Sequence, residues 1–318
     1  MGAQDRPDPL LARSVIVTGT HYSTTTLVGA LLHTAPEFHL LHEPLNPEPT
    51  PSYDSLGPPR WYEYYDDSRW EELHDNLARI LQRGPVIPEF LARLGRARSP
   101  KQLGQALRYA QRKFPVLLAR KPAILKGPFL AFSALTLQQR AGCKVVLCVR
   151  HPGAFAESLL RKTDGFCFRD LASQPALMAM LPDEADEIAR SAREDRTPLE
   201  QAALLWRVVY GFAANHLLPD PRTTLVRQED FMGHRDATAR RLLAFIGGTE
   251  TAATRRFLIQ NFQTRAGDSD RDSYIRRDPR LATMKWRQRL SGEDVKLLQT
   301  MTAPLAATFG YGEASWQH

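Results

Sequence analysis

Two segments of this chain hold residue types suited to gripping an anion. The first is Gly19-Thr20-His21-Tyr22-Ser23-Thr24-Thr25-Thr26-Leu27, a hydroxyl-rich stretch between a β-branched run and an amphipathic one. A helix starting there offers free N–H groups and the positive end of its dipole, and the hydroxyls add donors, which is the layout of a phosphate-binding loop. It is not a Walker A loop, because the GK[ST] lysine is absent; a Ser/Thr-capped helix after a strand is the plainer alternative. The second segment is Cys148–Lys162, where Arg150 ends an apolar run and Ser158 lies further along the next element. A guanidinium at such a point can fork onto a phosphate through two parallel charge-assisted hydrogen bonds; the alternative is a surface arginine at a strand exit.

The elements that must position these residues are legible as runs. Ser14–Thr18, Phe38–Leu41, Ala123–Lys126, Lys144–Val149 and Thr223–Val226 have strand length and composition. Leu27, Val28, Leu31 and Leu32 make one face of a helix ending near His33. Helical patterns cover Glu71–Ala119 with interruptions, Phe129–Gln139, Pro152–Arg161 with its proline in the first turn, Leu199–Leu217, and Ala237–Ile246 closed by Gly247-Gly248. The proline-rich stretch Pro47–Pro59 is a loop, and Thr163–Thr197 is acidic and loosely patterned. Strands alternating with helices predict an α/β fold, a P-loop-like three-layer sandwich whose central, mostly parallel sheet is covered by helices on both faces. Ligands in such folds collect at the carboxyl ends of the strands, so the loops after Thr18, Leu41, Lys126 and Val149 are where a site belongs. We read one domain over residues 1–318, with 51–120 and 163–198 as insertions shaping a cleft.

Composition narrows the class. The chain has 318 residues, 43% hydrophobic and 24% charged, as in soluble globular proteins. Three cysteines, Cys143, Cys148 and Cys167, in no metal-type pairing argue against a disulfide framework and a zinc site. The net charge of +7 is carried by 34 Arg against 8 Lys. Arginine suits planar recognition of phosphate or sulfate, although a GC-rich genome gives the same excess. The arginines are dispersed and accompany no recognition motif, so no nucleic-acid partner is expected. Nothing approaches the roughly 18 consecutive apolar residues of a membrane span, and Met1–Arg13 lacks a signal-type run, so a cytoplasmic protein with reduced thiols is expected.

Together the two anion segments resemble the sulfotransferase family, whose members take a sulfuryl group from 3′-phosphoadenosine 5′-phosphosulfate (PAPS). Members carry a 5′-phosphosulfate loop of the type [RK]-S-G-T-T, and Tyr22-Ser23-Thr24-Thr25-Thr26 lies where it belongs. They also carry R-x-P-x5-S after a central strand, which Arg150-His151-Pro152 and Ser158 match. His42-Glu43-Pro44-Leu45-Asn46 is similar to the EPxN segment of bacterial and carbohydrate-type members, and Leu125-Lys126-Gly127-Pro128 to their KDP. Arg227-Gln228-Glu229-Asp230-Phe231 is similar to YEDL, and Trp286-Arg287 to a C-terminal WR.

The resemblance implies PAPS as co-substrate, no metal, and a small-molecule, lipid or sugar hydroxyl as acceptor. It implies that Ser23, Thr24, Thr25 and Thr26, with His21 and Tyr22 beside them, hold the 5′-phosphosulfate, and that Arg150 and Ser158 hold the 3′-phosphate. Glu43 becomes the general base, His42 the competing base, and Lys126 the group that neutralises charge near the sulfuryl. Arg276, Arg277 and Arg280 are candidates for further 3′-phosphate contacts. Three positions depart from the family pattern: its basic loop residue is Tyr22 here, its loop glycine is Thr24, and the KDP aspartate is Gly127. The missing cation calls for compensation by His21 or Lys126. Otherwise it points to a non-catalytic or altered-donor relative; a nucleotide or nucleoside kinase is disfavoured by the absent Walker lysine. The aromatics of Pro58–Tyr65 either line an acceptor cleft or pack their loop onto the core, and Thr163–Thr197 is either a lid or a surface insertion.

Overall fold

Every strand expected from the sequence forms, within a residue or so at its ends: β1 (Val15–Thr18), β2 (His39–His42), β3 (Ala123–Lys126), β4 (Lys144–Val149) and β5 (Thr223–Arg227). The computed structural model describes residues 7–48, 56–82, 86–119, 121–163, 165–262 and 285–317. The strands make one sheet in the order β2-β3-β1-β4-β5, with all pairings parallel. The register sets Val17 beside Lys126, Lys126 beside His42, Thr18 beside Leu147, and Val149 beside Arg227. The carboxyl ends of all five strands therefore finish along one edge.

The period of two in the strands sorts their side chains into two buried faces. Val15, Val17, Ile124, Val146, Cys148 and Val226 join Val28, Leu31 and Leu32 of helix α1 (Thr25–Leu32) and Leu242, Leu243 and Ile246 of the helix Gln228–Ile246. Ile16, Leu41, Leu125, Val145, Leu147 and Val149 join Phe155 and Leu159 of the helix Pro152–Lys162, and Leu204, Trp206 and Tyr210 of the helix Pro198–Phe212. Each such aliphatic side chain contributes about 1.5–3 kcal/mol on burial. The result is the predicted P-loop-like α/β sandwich of helix, sheet and helix.

Helices run differently from expectation in two places. In place of a helix over Phe129–Gln139 there is a 3₁₀ turn at Pro128–Leu130, a single α turn at Ala134–Thr136 and a π turn at Leu137–Ala141. Every residue from Pro128 to Gln138 is buried, so no solvent-facing side exists for an amphipathic period to serve. Its polar groups instead tether a neighbouring loop: Ser133 Oγ donates to the Glu63 carbonyl at 2.7 Å, and Thr136 Oγ1 donates to that of Tyr65. The helix expected from Ala237 begins already at Gln228, with a kink at His234.

The 60–65 loop and the stretch Asp170–Gln174 are fastened to each other. The Trp61 amide donates to Asp170 at 3.0 Å, the Tyr64 amide donates to the Gln174 side chain at 2.8 Å, and Arg60 Nε donates to Ser173 Oγ at 3.0 Å. Tyr62, Tyr64 and Tyr65 are buried and Trp61 is half-buried, so most of this aromatic run packs its loop onto the core. Glu63, fully buried among them, is ion-paired with Arg60 and Arg69. Among the described residues, no helix is long and apolar enough to cross a membrane.

Candidate functional site

The loop after β1 is shaped by backbone that few residues tolerate. Gly19 has φ of 152°, and a Cβ there would lie 2.1 Å from the Cys148 carbonyl oxygen of the adjacent strand, so only glycine permits the turn. Tyr22 and Thr24 both adopt left-handed backbone, with φ of 63° and 74°. The Tyr210 hydroxyl pins the loop: it accepts from the Thr20 amide at 3.3 Å, lies 3.1 Å from Thr20 Oγ1, and donates to the Cys148 carbonyl at 2.9 Å. Ser23 Oγ is buried and donates to the Thr20 carbonyl. Thr24 ends the loop as the residue before α1, but its hydroxyl does not cap the helix and is buried without a hydrogen-bond partner. A buried, unsatisfied polar group costs about 1–3 kcal/mol. Beside it lie the first-turn amides of α1, which by helix geometry have no intrahelical acceptor. An anion at this point would meet both needs.

Arg150, just past β4, closes one side of that loop. Its guanidinium is buried and donates to Ser158 Oγ at 2.8 Å and to the Tyr22 carbonyl at 3.1 Å. Burial lowers its pKa, with Glu157 and Glu229 opposing, and an arginine so perturbed still keeps its charge. Trp206 Nε1 fixes the backbone beneath by donating to the Arg150 carbonyl at 2.9 Å. His151 caps the following helix, its Nδ1 accepting from the Gly153 amide at 3.1 Å, and stacks on Trp286 at 4.5 Å and 13°. Burial, then Arg287 and Arg150, push its pKa down to about 3. A Cβ at Gly153 would come within 2.6 Å of the Trp286 ring. The structure thus brings together the segments around Arg150 and Trp286, which are far apart in the chain. Arg276, Arg277 and Arg280 lie outside the described residues.

Two strands away from β1, Glu43 follows β2 with φ of 54°. Its amide donates to the Lys126 carbonyl at 2.6 Å, its Oε1 lies 2.7 Å from Lys126 Nζ, and its Oε2 accepts from Asn46 Nδ2 at 2.7 Å. Lys126 Nζ also lies 3.3 Å from His42 Nε2. Lys126 is only 1% exposed. Burial lowers its pKa and the Glu43 carboxylate resists that fall. Two glycines make room for this pair. A Cβ at Gly29 of α1 would lie 2.8 Å from Lys126 Cγ, and one at Gly127 would lie 3.2 Å from Glu43 Cα. The family's aspartate at position 127 would crowd Glu43 as it is placed here.

His21, one of the two expected compensators, is enclosed by the neighbouring rings. Its Nδ1 lies 2.8 Å from the Tyr62 hydroxyl, its ring is enclosed by Tyr22, Trp61, Phe155 and Phe166, and burial pushes its pKa down to about 4. At neutral pH it carries no charge. Lys126, the other expected compensator, is already paired with Glu43. Sequence reasoning missed Tyr210, whose hydroxyl pins the loop, and named Tyr62 only within the aromatic run Pro58–Tyr65. Among the described residues, one group has the makings of a metal site, Glu71, His74 and Asp75 on the helix Trp70–Gln82. There His74 Nε2 already accepts from the Asp8 amide at 3.0 Å.

No protein-family model matches the chain, and no curated protein matches it by sequence. Solved structures similar to it include the following. The sulfotransferase domain from the olefin synthase of Synechococcus PCC 7002 has a TM-score of 0.49 and 17% identity, covering 98% of this chain and 97% of its own. The sulfotransferase domain from the curacin biosynthetic pathway has a TM-score of 0.45 and 14% identity, covering 91% of this chain and 97% of its own. The sulfotransferase STF9 from Mycobacterium avium has a TM-score of 0.44 and 17% identity, covering 93% of this chain and 76% of its own.

Proposed function

We propose that the protein transfers a sulfuryl group from PAPS to the hydroxyl of a small-molecule acceptor, releasing adenosine 3′,5′-bisphosphate (PAP). One observation carries the reading: a single buried guanidinium, Arg150, reaches both Ser158 and the backbone of the hydroxyl loop. That link supports reading the two anion segments as one site for the two charged groups of one nucleotide. Thr24, Thr25 and Thr26, with the first-turn amides of α1, take the 5′-phosphosulfate, and Arg150 and Ser158 take the 3′-phosphate. Glu43 stands two strands over, about 10 Å along the edge at the usual strand spacing. It receives the proton of the acceptor hydroxyl as the new oxygen–sulfur bond forms, and Lys126 holds its carboxylate in place. His42 is the alternative base. Transfer of this kind asks for alignment and charge stabilisation more than covalent participation. The buried, unpaired thiols Cys143 and Cys148 suit a reducing compartment such as the cytoplasm.

Thermal stabilisation by PAP and by ATP tests the reading. A ligand at 100 times its dissociation constant adds about 2.7 kcal/mol, so PAP is expected to raise the melting temperature well above the effect of ATP at equal concentration. Equal shifts refute the assignment. A second reading, a nucleotide binder without turnover, draws on Glu43, both of whose carboxylate oxygens are already engaged by Lys126 and Asn46. An acceptor screen with sulfur-labelled PAPS separates the two, because only the first gives labelled product.

A further inference from the structure

We propose that the helical hairpin of residues 86–119 is a docking surface for an anionic lipid bilayer, on which the protein lies without spanning it; the inference stands apart from the sulfuryl-transfer reading. The hairpin pairs the helix Val86–Arg96 with the helix Pro100–Ala119, and the Arg93 guanidinium sits 4.4 Å from the centre of the Tyr109 ring across the two. It holds five Arg, two Lys and one Glu, a net +6 of the chain's +7, and residues 90–119 contain no acid at all. Arginines occur throughout the chain; here they go unbalanced, so the net charge concentrates. Among the described residues six large apolar side chains are exposed, and three of them stand on this hairpin: Leu91 at 60%, Leu103 at 45% and Leu107 at 48%. Of residues 90–110 only Ala106 is buried, and none belongs to either hydrophobic core. Leu103 and Leu107, four apart, share one side of their helix. The exposed Lys101 and Arg108 lie about 130° round it. An exposed apolar strip flanked by cations suits a helix lying in the plane of a membrane interface.

The charge and the leucines together select the occupant. A second copy of the chain would set one +6 hairpin against another, and like charges brought face to face disfavour that contact. Nucleic acid would answer the charge but makes no use of three exposed leucines. An acidic protein would need an apolar surface shaped to them. A bilayer accepts leucines wherever they project, while the Arg and Lys stems reach back to the lipid phosphates. The cytoplasmic leaflet is negatively charged and draws basic segments of this kind. Among the described residues no helix is long and apolar enough to cross a membrane, so the mode proposed is peripheral.

The test uses the full chain and co-sedimentation with vesicles of equal parts phosphatidylglycerol and phosphatidylcholine, against vesicles of phosphatidylcholine alone. Binding to the anionic vesicles and little to the neutral ones is expected, weakening as salt is raised. The variant Arg96→Gln/Arg98→Gln/Lys101→Gln/Arg108→Gln is expected to weaken binding about a hundredfold or more, at about fivefold per basic residue. Leu103→Gln/Leu107→Gln keeps every charge and is expected to weaken it about tenfold, as the half of each leucine still outside lipid no longer leaves water. All six side chains are exposed, so both variants are expected to keep the wild-type melting temperature and the wild-type response to PAP. That separates loss of the surface from loss of the fold or of the nucleotide site. Wild type that ignores anionic vesicles overturns the inference, and so does a leucine variant that binds them as tightly as wild type. Binding to polyglutamate but not to vesicles hands the face to an acidic protein, and a concentration-dependent dimer split by the leucine variant hands it to a second copy; either result overturns the inference. Should the leucine variant fail to fold, Leu103→Ala/Leu107→Ala with unaltered vesicle binding overturns it equally. Equal stabilisation by PAP and ATP refutes the sulfuryl-transfer reading and leaves this inference standing.

Discussion

Glu43→Gln changes one charge at a point where the structure leaves little slack. The amide has the shape of the carboxylate and still offers an oxygen to Asn46, so the perturbation falls on Lys126, a residue 1% exposed whose ammonium lies 2.7 Å from Glu43 Oε1. Removing one partner of a buried ion pair costs about 3–5 kcal/mol, because the remaining charge is left in a poor solvent. The sign of the pH dependence follows from the same geometry. Burial already lowers the Lys126 pKa and Glu43 raises it, so losing Glu43 sends it down further. In the unfolded chain Lys126 titrates near its ordinary value of about 10.4. Between the two values the unfolded chain binds more protons than the folded one, so stability rises with pH across that window. The deficit of the variant is therefore largest at neutral pH and shrinks as Lys126 loses its proton. Urea denaturation of wild type and variant at about pH 7 and about pH 9.5 is expected to give a loss near 3 kcal/mol at the lower pH and a smaller one at the higher. A loss below about 1 kcal/mol at neutral pH, the size of an exposed pair, refutes the argument, as does an equal loss at both values. Under the proposed function the same variant binds PAP and turns over no PAPS; unchanged turnover transfers the base role to His42.

Arg150→Ala is expected to weaken PAP about thirtyfold or more, the lower end for truncating a buried charge contact. Adenosine 5′-phosphosulfate, which has no 3′-phosphate, loses far less, and equal losses by calorimetry contradict the assigned role. Gly29→Ala stabilises a free helix by about 1 kcal/mol, but here the new Cβ would lie 2.8 Å from Lys126 Cγ. Overpacking of that kind costs about 1–3 kcal/mol. A lowered denaturation midpoint is expected, and a raised one shows the Lys126 stem free to move aside.

The strands β1, β3 and β4 were legible because they are buried on both faces, and runs such as Lys144–Val149 admit few other readings. Their order was not, since a central β1 flanked by β3 and β4 is a matter of crossovers rather than of local pattern. The Pro128–Gln138 segment was misread because Ser133 and Thr136 spend their hydroxyls on the 60–65 loop, a tertiary demand with no local trace. At the site, Arg150 and Ser158 were legible together because the spacing that matches a motif is also the spacing at which the first two turns of the helix bring them to 2.8 Å. The neutral state of His21 was not legible, because it depends on rings from four separate stretches, at Tyr22, Trp61, Phe155 and Phe166, closing around it.

The central position of β1 bears on how the chain is made. Val15 pairs with Ile124 on one side and Lys144 on the other, so neither neighbour exists until more than a third of the chain has been synthesised. Between Ser14 and Ala123, which are joined by a hydrogen bond across a separation of 109 residues, a ribosome spends roughly 5–20 s at ordinary rates. Throughout that interval the apolar run Val15–Val17 has no strand to pair with, and such non-local pairing is slow to nucleate. A nascent chain released before Cys148 would carry the hydroxyl loop without the Cys148 carbonyl, Tyr210 or Arg150 that give it shape. Under the proposed function, anion binding by the loop would appear late in synthesis, which makes it a readout of completed folding as much as of function.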